Sequence, residues 1–204
     1  ELAERDVANF SNQIKELREE NGRLREELGR AKLDAENANA KVQAIEAQKQ
    51  AAEEAQAKEA RAARIKAGEK QLMTDLRRFG TVSKIQNSIV LVLPESYWQA
   101  ARSSTFAMQS DGKLTSIAEI LVNNPDYKIT IESHTDDVGE AATLEALTDQ
   151  RAARIKAKFE SLGIGTQRIS AKGYGGTIPA VPGAKGAAKA KNRRVNIILD
   201  ADLS

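Results

Sequence analysis

From Ala3 onward the apolar residues return with a seven-residue period: Val7, Phe10, Ile14, Leu17, Leu24, Leu28, Ala31, Ala35, Ala38, Val42 and Ile45 step alternately by three and four. That spacing is the a/d seam of a left-handed coiled coil. The one polar interruption, Asn21, falls at an a position, where Asn facing Asn favours a parallel dimer in fixed register at some cost in stability. Between Ile45 and Ile65 the chain is almost wholly Ala, Glu, Gln, Lys and Arg, which favour helix but offer little apolar bulk. A later stripe of Ile65, Leu72, Leu76 and Phe79 is one residue out of phase with the first, so a supercoil must slip or loosen between them. Helical throughout, residues 1–79 would span about 120 Å. A spacer and parallel dimeriser is the expectation. The alternatives are a helix folded back as an antiparallel hairpin and one packed on another partner, although no Gly/Pro turn interrupts the region.

The pattern changes at Gly80, where Pro, Gly, Tyr, Trp and β-branched residues replace the Ala/Glu/Lys run. The boundary is therefore placed there, with a rod over 1–79 and a second domain over 80–204. Ser88 to Leu93, ended by Pro94, reads as a buried strand. A loop with Tyr97, Trp98 and Phe106 follows. Leu114, Ile117, Ile120 and Leu121 give a helix stopped by Pro125, and Tyr127 to Glu132 a strand. Ala152, Ile155, Phe159 and Leu162 give a second helix capped at Gly163, and Ile169 to Tyr174 and Val195 to Leu199 give two more strands. The order predicts an α+β fold: a βαβαββ-type mixed sheet with helices packed on it, preceded by a long coiled coil.

Composition narrows the function. Lys and Arg total 31 against 29 Asp and Glu among 204 residues, a balance that calls for no polyanionic partner. Aromatics at 4% are sparse for a wholly globular chain, which agrees with a rod. There is no cysteine, so no disulfide or thiolate metal site. No run approaches the roughly 18–20 apolar residues of a membrane helix. The abrupt start suggests an excised fragment, with membrane attachment expected only through an upstream segment.

The candidate chemistry lies in Ser133-His134-Thr135-Asp136-Asp137-Val138-Gly139 and in Arg151, beyond it on the next helix. Thr148 is placed to cap that helix, which puts Arg151 in its first turn, where the macrodipole disfavours a cation. An arginine that breaks a local rule is a functional candidate: guanidinium and helix amides together can hold a carboxylate, and Asp136 can accept an ammonium. The site is thus one for a zwitterion. A plain Asp136–Arg151 salt bridge pinning the loop stands beside it. Leu144 and Leu147 extend the stripe and permit a helix start near Ala141, which weakens the N-terminus reading.

His134-Thr135-Asp136 with Gly139, Leu147-Thr148 with Arg151-Ala152, Gly163-Ile164, Arg168-Ile169, Gly173-Tyr174-Gly175, Pro179 and Asn192-Arg193-Arg194-Val195 resemble the peptidoglycan-binding domain at the C-terminus of outer membrane protein A. That domain is shared with peptidoglycan-associated lipoprotein and flagellar stator proteins, and the resemblance covers roughly residues 85–200. It implies non-covalent binding of the diaminopimelate of the peptide stem, with Asp136 and Arg151 gripping the ammonium and carboxylate of its free amino-acid end. His134, Thr135, Gly139, Thr148, Arg193 and Arg194 are supporting residues. The sequence departs from the family at Ser133, often Gly there, at Leu144, usually Asn, and in the Ala/Gly/Lys-rich loop from Gly175 to Lys191.

Other chemistry is thin. One histidine with flanking acids makes a weak metal signal, and a structural histidine bonded to nearby backbone is the simpler expectation. Asp136 and Asp137 lack an accompanying nucleophile or oxyanion site, so no enzyme activity and no cofactor are expected. Lys185, Lys189, Lys191, Arg193 and Arg194 form a cationic run without interleaved aromatics, which does not suit nucleic acid. The expectation is a periplasmic wall anchor, outer-membrane-tethered through an upstream segment, that binds peptidoglycan and dimerises through its rod. The alternative is a scaffold whose coiled coil binds a protein partner, with wall binding lost.

Overall fold

The computed structural model describes residues 2–203. The chain divides into two compact units, Glu1–Ala57 and Lys58–Ser204. The first is helical, part of one unbroken helix α1 (Leu2–Leu76) that excludes the antiparallel hairpin. Its seam is bare: Phe10 is 64% and Leu17 68% exposed.

The second unit contains the end of α1, then β1 (Thr81–Ile85), β2 (Ser88–Pro94), α2 (Ser110–Val122), β3 (Tyr127–His134), α3 (Ala141–Ser161), β4 (Ile169–Gly173) and β5 (Arg194–Ala201). The five strands form one mixed sheet in the order β1-β2-β5-β3-β4. All neighbours are antiparallel except β3 and β4. This is the expected α+β architecture with one more strand. β1 pairs with β2 through a hairpin at Gln86 and Asn87, with Gln86 at φ 54°. Turns of this kind favour Gly or Asn at such a φ, so Gln86 hid the hairpin.

Strand alternation builds the core. Ile89, Leu91 and Leu93 of β2, Ile129 and Ile131 of β3, and Val195, Ile197 and Leu199 of β5 share one buried cluster with Leu114, Ile117 and Leu121 of α2 and Ile155 and Phe159 of α3. Each such fully buried side chain contributes about 1.5–3 kcal/mol of transfer free energy. Leu72 and Leu76 of α1 belong to the same cluster, with Ile65, Met73 and Phe79 packed against it. The change of phase in the apolar stripe therefore has a different cause from a loosened supercoil. The second stripe is turned to serve the domain's own core.

Side-chain ties fix the end of α1 on this unit, among them Arg64, which donates through Nε and Nη2 to both carboxylate oxygens of Asp126 at 3.1 and 3.0 Å, and Lys84, which reaches Glu69 at 2.7 Å. Gly163, at φ 105°, ends α3 as expected, its amide bonded to Glu160 while that of Ile164 bonds to Phe159.

Candidate functional site

The site loop leaves the end of β3 and is framed by three neighbours. α3 begins at Ala141, so Thr148 lies in its third turn and is not the cap; its hydroxyl donates to the carbonyls of Leu144 and Glu145. Leu144 and Leu147 had marked this earlier start. Arg151 is therefore mid-helix, and the first-turn electrostatics drawn from the sequence do not apply to it. Thr148 instead accepts from the Gly175 amide at 2.9 Å, and Asp149 accepts from the Gly173 amide at 2.8 Å. A Cβ on Gly173 would lie 2.2 Å from the Asp149 nitrogen, so only glycine allows β4 this close to α3. The same turn carries the site loop: Gly175 accepts from the Thr135 amide, and a Cβ on Gly176 would lie 2.5 Å from the Asp136 carbonyl oxygen.

Asp136 is 4% exposed and fully engaged. Its Oδ1 accepts from Arg102 Nη2 at 3.0 Å and from the Val138 amide at 3.1 Å, and its Oδ2 accepts from Arg193 Nη1 at 2.6 Å. Burial pushes this carboxyl up, but the bonds from Arg193, Arg102 and the Val138 amide outweigh that and hold it at about 2. Arg193 also grips Glu95 with Nε and Nη2, and those two acids raise its pKa, Glu95 most.

Arg151 is 1% exposed and does not pair with Asp136. Its Nε donates to the Ser103 carbonyl at 2.8 Å, and its Nη2 to those of Ala100 and Ala101 at 3.0 and 3.1 Å. The guanidinium lies 4.8 Å from the Trp98 ring centroid, a cation–π contact. Its Nη1 makes no hydrogen bond among the described residues. Burial and then the charge of Arg102 lower its pKa to about 10, so it remains a cation at neutral pH. The plain Asp136–Arg151 salt bridge is thus not formed. The segment 100–103 joins the two: its carbonyls hold Arg151, and its Arg102 holds Asp136.

The remaining sequence candidates have supporting positions. Thr135 Oγ1 accepts from Arg102 at 3.0 Å. Gly139, at φ 128°, turns the loop into α3. Arg194, opposite His134 in the sheet register, donates to the carbonyls of Asn192 and Ile178 and makes no hydrogen bond to Asp136. Asp137, exposed, pairs with Lys189 of the lysine-rich loop, which lowers its pKa. Beside it a cleft of about 390 Å³ is lined by Leu144, Glu145, Lys172 and Tyr174 among others. Glu95 and Arg102 were missed: one opens a single 3-10 turn, Glu95–Tyr97, and the other lies in a loop, and neither is long enough for periodicity to report which way a side chain faces.

His134 is 1% exposed, but it is not held by backbone: neither ring nitrogen has a hydrogen-bond partner among the described residues. Its ring stacks on Tyr174 at 5.2 Å instead. Burial, then the nearby Arg194 charge, push its pKa down to about 4. The folded state therefore excludes a proton that the unfolded chain binds below about 6.5. Its contribution is complete above that value and is lost as pH falls toward 4, a penalty on the order of 3 kcal/mol. His134→Phe, which keeps the stack, is expected to flatten the dependence of melting temperature on pH between 6.5 and 4. An unchanged slope would assign it to other groups.

The fold and site together define a small mixed-sheet domain with an arginine-ringed aspartate at one sheet end. Residues 100–193 match the OmpA family, and over that stretch the chain is OmpA-like. Peptidoglycan-associated lipoprotein of Buchnera aphidicola is 36% identical over 85 residues, 42% of this chain and 49% of that protein. A stretch of photosystem I P700 chlorophyll a apoprotein A2 of Gloeobacter violaceus is 31% identical over 125 residues, 58% of this chain but 14% of that protein, too small a share to carry photochemistry over. The periplasmic domain of Helicobacter pylori MotB superposes with a TM-score of 0.55 at 25% identity, covering 60% of this chain and 89% of that one. The chain thus spans half or less of these two curated relatives. Among the described residues no helix is long and apolar enough to cross a membrane.

Proposed function

We propose that this chain is a non-enzymatic wall anchor: its OmpA-like domain holds peptidoglycan in the periplasm by the diaminopimelate of the peptide stem, and its rod spaces and dimerises it. By composition the binding domain begins at residue 80, and it takes the end of α1 as a packing element. Asp136 accepts the ligand ammonium, while Arg151, through its unbonded Nη1, takes the carboxylate. The observation that carries this reading is that one segment, 100–103, holds both a buried carboxylate, Asp136, and a buried guanidinium, Arg151. Such desolvated, preorganised charges suit a ligand with both signs.

The relatives support the class of partner. One is named for its association with peptidoglycan, and the matched MotB structure is of a periplasmic domain. Sedimentation with purified sacculi tests the ligand. The protein should pellet with sacculi containing meso-diaminopimelate and be released by free meso-diaminopimelate, but should stay in solution with sacculi whose stem carries lysine. Equal pelleting with both would remove diaminopimelate as the recognised group. No pelleting with either would favour the scaffold reading, in which the bare seam of α1 takes a protein partner.

A further inference from the structure

Two arginines hold Asp136, and they are not equivalent. Arg193 is locked a second time by Glu95, and its side chain is 19% exposed. Arg102 donates to Thr135 Oγ1 at 3.0 Å, Asp136 Oδ1 at 3.0 Å and the Val138 carbonyl at 2.6 Å, has Asp136 as its acid, and is 43% exposed. It is the partner that solvent can take away. The site also carries a charge surplus among the described residues: Arg102, Arg151 and Arg193 are set against Asp136 and Glu95, while Asp137 is matched by Lys189. A cation arriving alone meets an occupied carboxylate and an excess of like charge.

We propose that Arg102 is a specificity-determining residue, a plug on Asp136 that yields to a zwitterion and not to a bare amine. This rests on the zwitterion clamp proposed above. A zwitterion exchanges pair for pair: its ammonium takes Asp136, and its carboxylate takes the released Arg102 together with Arg151. A bare amine removes Arg102 from its acid and returns nothing. The plug therefore lowers affinity for every amine by the fraction of time it occupies Asp136, and zwitterions recover that loss through their carboxylate.

The test is calorimetric titration of the full chain with meso-diaminopimelate and with cadaverine, the diamine that remains when both carboxylates are removed. Wild type should prefer meso-diaminopimelate. In Arg102→Gln the ratio of the two association constants should fall by roughly two- to fivefold, the upper part of what a half-exposed ion pair contributes. Arg102→Lys, which keeps the charge but not the fork, should lie between. Side-chain nitrogen NMR gives a second readout: the Arg102 guanidinium resonances should shift on adding meso-diaminopimelate and not on adding cadaverine. A ratio that does not move, including cadaverine binding too weak to detect in every variant, overturns the plug even if Asp136→Asn abolishes meso-diaminopimelate binding. No binding of meso-diaminopimelate to wild type overturns the clamp, and the plug with it.

Discussion

Asp136→Ala is expected to weaken retention on sacculi by at least about thirtyfold, because truncating one member of a buried, hydrogen-bonded charge pair costs about 2–5 kcal/mol. The variant removes the ammonium acceptor and leaves Arg102 without its acid, while Arg193 keeps Glu95. Some stability goes too. Asp136 sits at about 2 in the folded state against an ordinary 3.8, so its contribution, on the order of 2 kcal/mol, is complete above the higher value and lost as pH falls through the lower. Between pH 5 and 8 it is ionised throughout, and binding should not vary on its account. Arg151→Lys should weaken retention similarly, since an ammonium cannot serve three carbonyls and a ligand carboxylate from one fork. Melting curves separate lost binding from lost fold. Pelleting of both folded variants equal to wild type would sink the clamp.

The rod carries the second large effect. Val7, Phe10, Ile14, Leu17, Leu24 and Leu28 are all exposed on α1, at the spacing of a two-stranded seam. A second copy in parallel register would cover them. Sedimentation equilibrium should give a dimer, with a melting temperature that rises with protein concentration. Asn21→Leu should stabilise that dimer on the order of 1–3 kcal/mol, the cost of burying an amide, while loosening register or oligomer number. A strictly monomeric wild type at tens of micromolar would refute the seam as a dimer interface.

The elements that periodicity announces are the ones found. α2, α3 and the buried strands β2, β3 and β5 follow from apolar runs and spacings whose side chains meet in one core. β1 escaped because it is short and mostly exposed, with Gln at the turn position that glycine usually marks. The second apolar stripe of α1 was visible, but its partner was not, since a stripe says that a face is covered and not by what.

Arg151 was singled out for a reason that does not hold. It lies well inside α3, and its importance comes from burial: a guanidinium out of water needs acceptors, which the 100–103 carbonyls and the Trp98 ring provide. Asp136 was legible through its motif, but its partners were not. Arg102 and Glu95 come from short segments far away in sequence, and only the folded chain brings Arg102 to Asp136 and Glu95 to the Arg193 that shares it.

The two outermost strands of the sheet, β1 and β4, are both five residues long and carry Lys84 and Lys172. Short, charged borders of this kind leave little template on which a neighbouring molecule can extend the sheet. A rod that pairs two chains would raise the local concentration of these domains greatly. Their borders let them crowd together without fusing into a common β-structure, so each remains a separate hand.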